Sequence, residues 1–305
     1  MRALVTGATG FVGSHLVEHL LDRGHAVAVV RRPGGDPRLL RPLLHRVVAI
    51  DGDLGGIAAS RDAIDAFRPD TTFHLAWSGV AGPGRDDASQ VEGNVSGTLE
   101  LLRVAATAGC GTFVGLGSQA EFGPRTGAIG EDAPADPTTW YGIAKACTHL
   151  MARRLADDLG VRFAWIRLFS AYGPGDHGGA LIPTLIRSLL DGGRPSLTAG
   201  EQRWDFLYIT DAAEALRLVA ESPDGAGPFN LGSGRVHRIA DVAAAVRDLI
   251  DPSLPLGLGE RPYGPRPIMH LQADVGRLRE AAGWEPRTSL DEGLRRTIQW
   301  HRRAA

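Results

Sequence analysis

The sequence holds a single lysine, Lys145; every other one of its 33 Lys+Arg positions is arginine. Cysteine is almost as scarce. Cys110 and Cys147 show no metal-ligand spacing, and a chain of 305 residues does not need a disulfide scaffold to fold. Cys147 is expected to be a buried, inert thiol. No run of about 18 or more apolar residues occurs, so no membrane-spanning helix is expected. The opening Arg2-Ala-Leu-Val-Thr6 is strand-like and has no signal-peptide core. A reducing cytoplasm is the expected setting. An excess of one charge is also missing: the formal net charge is -2, which implies no general affinity for nucleic acid or anionic membrane. The histidines are scattered, with no His-Glu-x-x-His or similar set, so no metal site is expected.

The lone lysine is informative because arginine serves wherever a positive charge suffices. An ammonium is a compact charge whose pKa shifts readily, whereas a guanidinium is planar and stays protonated. Tyr141 stands four residues before Lys145, which puts the two on one helix face, one turn apart. A cation at that distance is expected to lower the pKa of the phenol, making Tyr141 a general acid or base near neutral pH. The same Tyr-x-x-x-Lys spacing also arises on exposed helices that do no chemistry.

In the first half of the chain, short apolar runs alternate with helical patterns. Strands are expected at 3–6, 26–30, 47–50, 72–75, 112–116 and 163–168. Helices are expected at 11–23, 63–67, 94–108 and 141–158. Apolar strands separated by amphipathic helices predict a parallel sheet covered on both faces, an α/β doubly wound Rossmann architecture. After Phe169 glycine and proline cluster, and short helices at 181–190, 211–221 and 239–249 suggest a smaller, loop-rich lobe. The expected division is residues 1–168 for a cofactor-binding domain and 169–305 mainly for substrate. Strands near 204–209 and 227–231 are placed to rejoin the first domain.

Between the first strand and helix lies Gly7-Ala-Thr9-Gly10-Phe11-Val12-Gly13. Glycines at this spacing permit a tight turn and bring a pyrophosphate close to the backbone at the positive end of a helix. A dinucleotide is therefore expected. The second strand ends in Arg31 and Arg32, where an acidic residue would otherwise read the ribose 2′-hydroxyl. Two guanidiniums suit a 2′-phosphate, which favours NADP(H), with NAD(H) as the alternative. Two solvated surface arginines are the bland reading. Asp53 is placed to accept from the adenine amino group.

Gly7–Gly13, Asp53-Leu54, Asn94, Ser118, Tyr141 and Lys145 together resemble the extended short-chain dehydrogenase/reductases. The match continues through Arg167-Leu-Phe-Ser-Ala-Tyr-Gly-Pro-Gly175, Arg203-Trp-Asp-Phe206 and Asn230-Leu-Gly-Ser233. The resemblance implies NAD(P) in the large lobe and a nucleotide-diphosphate sugar under the small one. It implies a catalytic Ser118, Tyr141 and Lys145, and cofactor contacts that include Leu54, Leu75, Ala76 and Asn94. It also implies a homodimer joined by two helices from each subunit, here 94–108 and 141–158 with Leu99, Leu102, Leu150 and Met151.

Departures from the family pattern refine the expected activity. Dehydratases carry Thr-Asp-Glu where this chain has Ser118-Gln119-Ala120, and neither Gln119 nor Ala120 transfers protons. Glu121 comes one position later, on another face by strand period. Gly117–Pro124 and His74-Leu-Ala-Trp77 resemble reductases of nucleotide-diphospho-4-keto-6-deoxyhexoses. Together with Arg31 and Arg32, this points to NADPH-dependent reduction of a C4 ketone, with Tyr141 as proton donor and Ser118 bonding the carbonyl oxygen. An NAD-dependent nucleotide-sugar epimerase is the alternative, and a non-catalytic dinucleotide sensor the second. Trp77 and Gln119 are expected beside the sugar, with Trp140 another candidate. Ser170 stands where the family has a diphosphate-binding Asn. Arg203, with Arg266 or Arg261, is expected on the diphosphate.

Overall fold

The computed structural model describes residues 1–176 and 179–304. The chain runs β1 (Arg2–Thr6), α1 (Phe11–Asp22), β2 (Ala26–Arg31), β3 (Val48–Asp51), α2 (Arg61–Phe67), β4 (Thr71–His74), α3 (Ser96–Thr107) and β5 (Thr112–Ser118). It continues through β6 (Ala128–Ile129), α4 (Trp140–Leu159), β7 (Arg162–Leu168), β8 (Ser170–Tyr172), α5 (Leu181–Leu190) and β9 (Arg203–Tyr208). The last elements are α6 (Ile209–Glu221), β10 (Gly227–Leu231), β11 (Val236–Arg238), α7 (Ile239–Ile250), β12 (His270–Ala273), α8 (Gly276–Ala282) and α9 (Leu290–Ala304).

Seven parallel strands form the main sheet in the order β10-β7-β5-β4-β1-β2-β3. Their interiors are apolar on both faces because helices cover both. Leu16 and Leu20 of α1 pack with Leu216 and Val219 of α6 over one face. Ile64 of α2, Leu101 and Leu102 of α3, and Ala152 and Ala156 of α4 cover the other. Each fully buried leucine contributes about 1.5–3 kcal/mol. The strand order reverses at β1, and the loops after β1 and β4 open there into the crevice where such sheets hold ligands.

A second sheet, β11-β9-β12-β6 with β8 beside β9, belongs to the smaller lobe. Ile182 and Ile186 of α5, Val242 and Val246 of α7, and Leu294 and Ile298 of α9 pack together there. Of the two segments expected to return to the main sheet, β10 pairs with β7, but β9 stays in the second sheet. Asp205 explains why. Its buried carboxylate accepts from the backbone N–H of Ser233 (2.6 Å), Gly234 (2.9 Å) and Ala273 (3.1 Å), tying β9 to its own lobe.

The helix expected over 94–108 is two pieces. A π-turn, Val91–Val95, precedes α3. Widening the turn brings Asn94 inward, where its side chain accepts from Ser78 N–H (2.8 Å) and donates to Ser78 O and Gln90 Oε1 (both 3.2 Å). Strands β6, β8, β11 and β12 span two to four residues, too short to show a period.

Two glycines in β5 make room for Trp165 of β7. A Cβ on Gly115 would lie 2.5 Å from the indole ring, and one on Gly117 2.3 Å from its Nε1. Gly115→Ala should therefore destabilise the chain by about 1–3 kcal/mol. Gly111→Ala, where a Cβ meets open space, should change stability by less than about 0.5 kcal/mol. Urea unfolding of the two variants measures the difference, and equal midpoints would show that the close packing around Trp165 carries no weight.

Candidate active site

The glycine loop has the geometry its spacing predicts. Gly7 sits at φ +72°, and a Cβ there would lie 2.6 Å from Ala76 N; a Cβ on Gly13 would lie 2.1 Å from Gly7 O. Gly10 precedes α1 with no side chain capping the helix. The first N–H groups of α1 thus face the crevice free of side-chain acceptors, as a pyrophosphate requires. Thr9, Phe11 and Val12 are half-buried along this turn. His15, one turn on, bonds Pro174 O at 2.8 Å and ties α1 to the chain after β8.

The adenosine end differs from expectation. Arg31 Nε donates to Asp51 Oδ1 at 3.0 Å across the β2–β3 pair, and Arg32 Nε lies 3.9 Å from Asp53 Oδ2. Each guanidinium has a carboxylate beside it. Both pairs are exposed, and they bring two carboxylates, beside the two arginines, to a place suited to ribose and adenine. The NADP preference inferred from Arg31 and Arg32 loses its basis. Asp53 also accepts from Gly55 N–H at 2.9 Å, which fixes its orientation, and Leu54 packs under Gly97 of α3.

Behind the crevice a closed chain of hydrogen bonds links β1, β4 and α3. The Thr98 hydroxyl donates to Asn94 O (2.7 Å), so it must accept from His74 Nε2–H (2.8 Å). His74 Nδ1 then accepts from the Thr6 hydroxyl (2.8 Å), whose oxygen accepts from Ala76 N–H (3.3 Å). Burial, with Lys145 adding to it, pushes His74 down to about 3. The imidazole is thus a neutral strut that fixes Leu75 and Ala76 against the glycine loop.

Ser118 ends β5, and Tyr141 and Lys145 lie on the first turns of α4, capped by Thr139, whose Oγ1 accepts from Gly142 N–H at 3.1 Å. The three are brought together and buried. Burial pushes the Tyr141 phenol up from its ordinary value; the facing Ser118 hydroxyl and the Arg85 guanidinium oppose this, and Glu121 adds to it. The lowering expected from Lys145 is not found. Its Nζ bonds Leu116 O at 2.5 Å and sits 3.6 Å from the centroid of the Trp77 ring, with the Tyr141 ring 5.9 Å away. Burial pushes Lys145 down to about 7, against the pull of Glu121. Trp77 meets Tyr141 edge-on and donates its indole N–H to Gln90 Oε1 at 2.7 Å.

Glu121 does not reach the site as an acid. It closes the turn Gln119–Glu121, where Oε1 accepts from Ser118 N–H and the Trp165 indole, both at 2.9 Å. Oε2 holds Arg167 Nε at 2.9 Å, fully buried. Sequence reasoning missed Gln90 and Arg85 altogether, and it gave Glu121 and Arg167 no part in holding Ser118 in place. All are ordinary polar side chains, and the contacts that bring Glu121 onto Trp165 and Arg167, and Arg85 onto Tyr141, join positions more than forty residues apart.

The remaining candidates are scattered. Gln119 is half-buried beside Ser118, and Trp140 is exposed at the start of α4. Ser170 opens β8 and pairs with Phe206. Arg203 opens β9 and Arg266 lies before β12; both are exposed, and neither has a carboxylate partner among the described residues. Asn94 spends its amide on Ser78 and Gln90. Cys147 is exposed rather than buried, while Cys110 is buried. Among the described residues no group of three or more His, Cys, Asp or Glu is arranged to hold a metal. No helix among them is long and apolar enough to cross a membrane.

Residues 3–232 match the model of the NAD dependent epimerase/dehydratase family. The chain is 29% identical to the UDP-N-acetyl-alpha-D-glucosaminuronate decarboxylase of Bacillus cytotoxicus, over 99% of this chain and 98% of that one. It is 28% identical to the UDP-glucose 4-epimerase of Mycolicibacterium smegmatis, over 99% of each. The crystal structure of Thermus thermophilus UDP-glucose 4-epimerase with NAD superposes with a TM-score of 0.87 at 28% identity, covering 100% of both chains.

The buried amine makes stability depend on pH. Folded Lys145 releases its proton near 7, whereas the unfolded chain keeps it up to the ordinary 10.5. Across that window the unfolded state binds more protons. Stability should therefore rise with pH, by at most about 1.4 kcal/mol per unit from this group. Lys145→Met should lack that rise. Parallel stability curves for the two proteins in urea unfolding at pH 7 to 9 would show that Lys145 does not titrate there.

Proposed function

Because the chain belongs to the NAD dependent epimerase/dehydratase family, we propose that it is an NAD-dependent epimerase acting at C4 of a nucleotide-diphosphate sugar. The carrying observation is the site's proton inventory. Among the described residues, Tyr141 is the one group beside Ser118 placed to exchange a proton with a sugar hydroxyl. Gln119 and Ala120 exchange none, and Glu121 is locked onto Arg167 and Trp165. Dehydration needs a second acid-base pair; inverting a carbinol needs one group that takes a proton and returns it. The related decarboxylase and epimerases carry UDP in their names, and a UDP-sugar is the first substrate to try.

Bound NAD would supply the reversible two-electron oxidation at the sugar carbon. The glycine loop would hold its pyrophosphate, and the Asp51 and Asp53 carboxylates its adenosine. The Ser118 hydroxyl would bond the sugar oxygen while Tyr141 takes the proton, and Lys145 would meet the nicotinamide ribose. Arg203 and Arg266, lacking carboxylate partners among the described residues, suit the substrate diphosphate. Net reduction of a 4-keto-6-deoxyhexose rested on NADPH, and the pairing of Arg31 and Arg32 removes that argument.

The purified chain should interconvert a UDP-sugar with its C4 epimer with no net change in reduced-cofactor absorbance, and it should bind NAD more tightly than NADP. Tyr141→Phe should lower kcat by about 10²–10⁴-fold while leaving NAD affinity nearly unchanged. Stoichiometric consumption of NADPH with a 4-keto sugar would overturn the epimerase reading and restore the reductase one.

The outer face of α4 supports a homodimer. Leu150 (57% exposed) and Met151 (49%) stand beside Ile143 and Cys147, whereas Leu102 of the expected seam is buried in the core and Leu99 packs on it. Light scattering at micromolar concentration should give a dimer mass, and Leu150→Glu should shift it toward the monomer. A monomer before substitution would remove the proposal.

A further inference from the structure

Arg85 was not singled out by any motif, yet it lies against the proton-exchanging side chain. Its guanidinium carbon is 4.3 Å from the centroid of the Tyr141 ring, and Nη1 donates to Val80 O at 3.1 Å. It has no carboxylate partner among the described residues. The loop that carries it is pinned at several points. Gln90, buried after the loop, donates to Gly79 O (2.8 Å) and Gly84 O (2.7 Å) and accepts from Trp77. Asp86 Oδ1 accepts from Trp140 N–H at 3.4 Å, latching the turn Gly82–Asp86 to the first residue of α4. The guanidinium is thus held over the phenol by the fold rather than left on a free side chain.

We propose that Arg85 is a positioning residue for the reaction: the loop from Trp77 to Gln90 lays its fixed positive charge on the Tyr141 ring, where it favours the phenolate that takes the sugar proton. The proposal rests on the epimerase reading of the same site. Arg85, Lys145 and Glu121 are the charged groups set around Tyr141, and Asp86 lies next to Arg85 in the loop. Lys145, on α4 itself, is turned to Trp77 and Leu116 O. Glu121 lies beyond Ser118 and is paired with Arg167. Asp86 is engaged with the start of α4. Among the described residues Arg85 is the cation nearest the ring, at 4.3 Å against 5.9 Å for Lys145. Lys145 loses charge near neutrality because burial pushes it down to about 7, whereas a guanidinium stays charged at any working pH. The pair therefore divides the work: Lys145 takes the buried side, and Arg85 keeps a constant charge by the phenol.

The test compares Arg85→Gln with Arg85→Lys in the full chain. Two readouts are taken against pH: kcat/KM for the UDP-sugar, and tyrosinate absorbance, with the Tyr141→Phe protein as the blank that isolates Tyr141. An opposite charge at this distance moves a pKa by about one unit or more. In Arg85→Gln the Tyr141 step and the rising limb of kcat/KM should both move up by about one pH unit. Activity at neutral pH should then fall about tenfold and recover as pH rises. Arg85→Lys should hold both near their original place. Equal loss at every pH, or an unmoved tyrosinate step in Arg85→Gln, would overturn the proposal. Absent turnover by the unaltered protein would count against the epimerase reading alone, and the tyrosinate step would still decide the part played by Arg85.

Discussion

The buried carboxylate of Glu121 is the point on which the arrangement of the site depends. One oxygen takes the Ser118 N–H and the Trp165 indole, and the other takes Arg167. Those bonds stop β5 at Ser118, turn the chain, and fasten the turn to β7, so the Ser118 hydroxyl faces Tyr141. Gly115 and Gly117 are required because the indole that reaches Glu121 lies across their faces. Such a pair adds little net stability over an apolar substitute, but losing one partner strands the other charge at a cost of about 3–5 kcal/mol. The cluster therefore serves geometry more than stability.

Around that anchor the site is built from charges held out of water. His74 is kept neutral as a strut between Thr6 and Thr98, Lys145 is driven toward neutrality, and the Tyr141 phenol is pushed up. Burial is the first cause in all three. The opposing influences come from Arg85 and Ser118 for the phenol and from Glu121 for the amine. The same burial that excludes water from the reacting groups makes them depend on these partners.

The glycine loop was legible because its constraint is local: Gly7, Gly10 and Gly13 lie within one turn and its helix. The Tyr141–Lys145 spacing was legible for the same reason, since four residues of helix fix the face they share. The pKa of Tyr141 was not, because its direction depends on depth and on Arg85 and Glu121, which come from other elements. Arg31 and Arg32 misled for a related reason. The aspartates that pair with them arrive from β3 and the turn after it, about twenty positions later, and only strand pairing sets Arg31 against Asp51. Cys147 was misjudged because the helix repeat does not say which side of α4 meets the sheet.

The doubly wound class, the order of the larger elements and the dinucleotide loop follow from patterns of period two and 3.6 and from glycines a few residues apart, all carried by short stretches of chain. The return of β10 but not β9 to the main sheet, the π-turn that buries Asn94, the pairing of both arginines and the placing of Arg85 on Tyr141 follow from no such stretch. Each joins groups distant in sequence whose approach is set by packing and by the need of every buried polar atom for a partner. Those requirements act on the folded chain as a whole, which is why they leave no local trace.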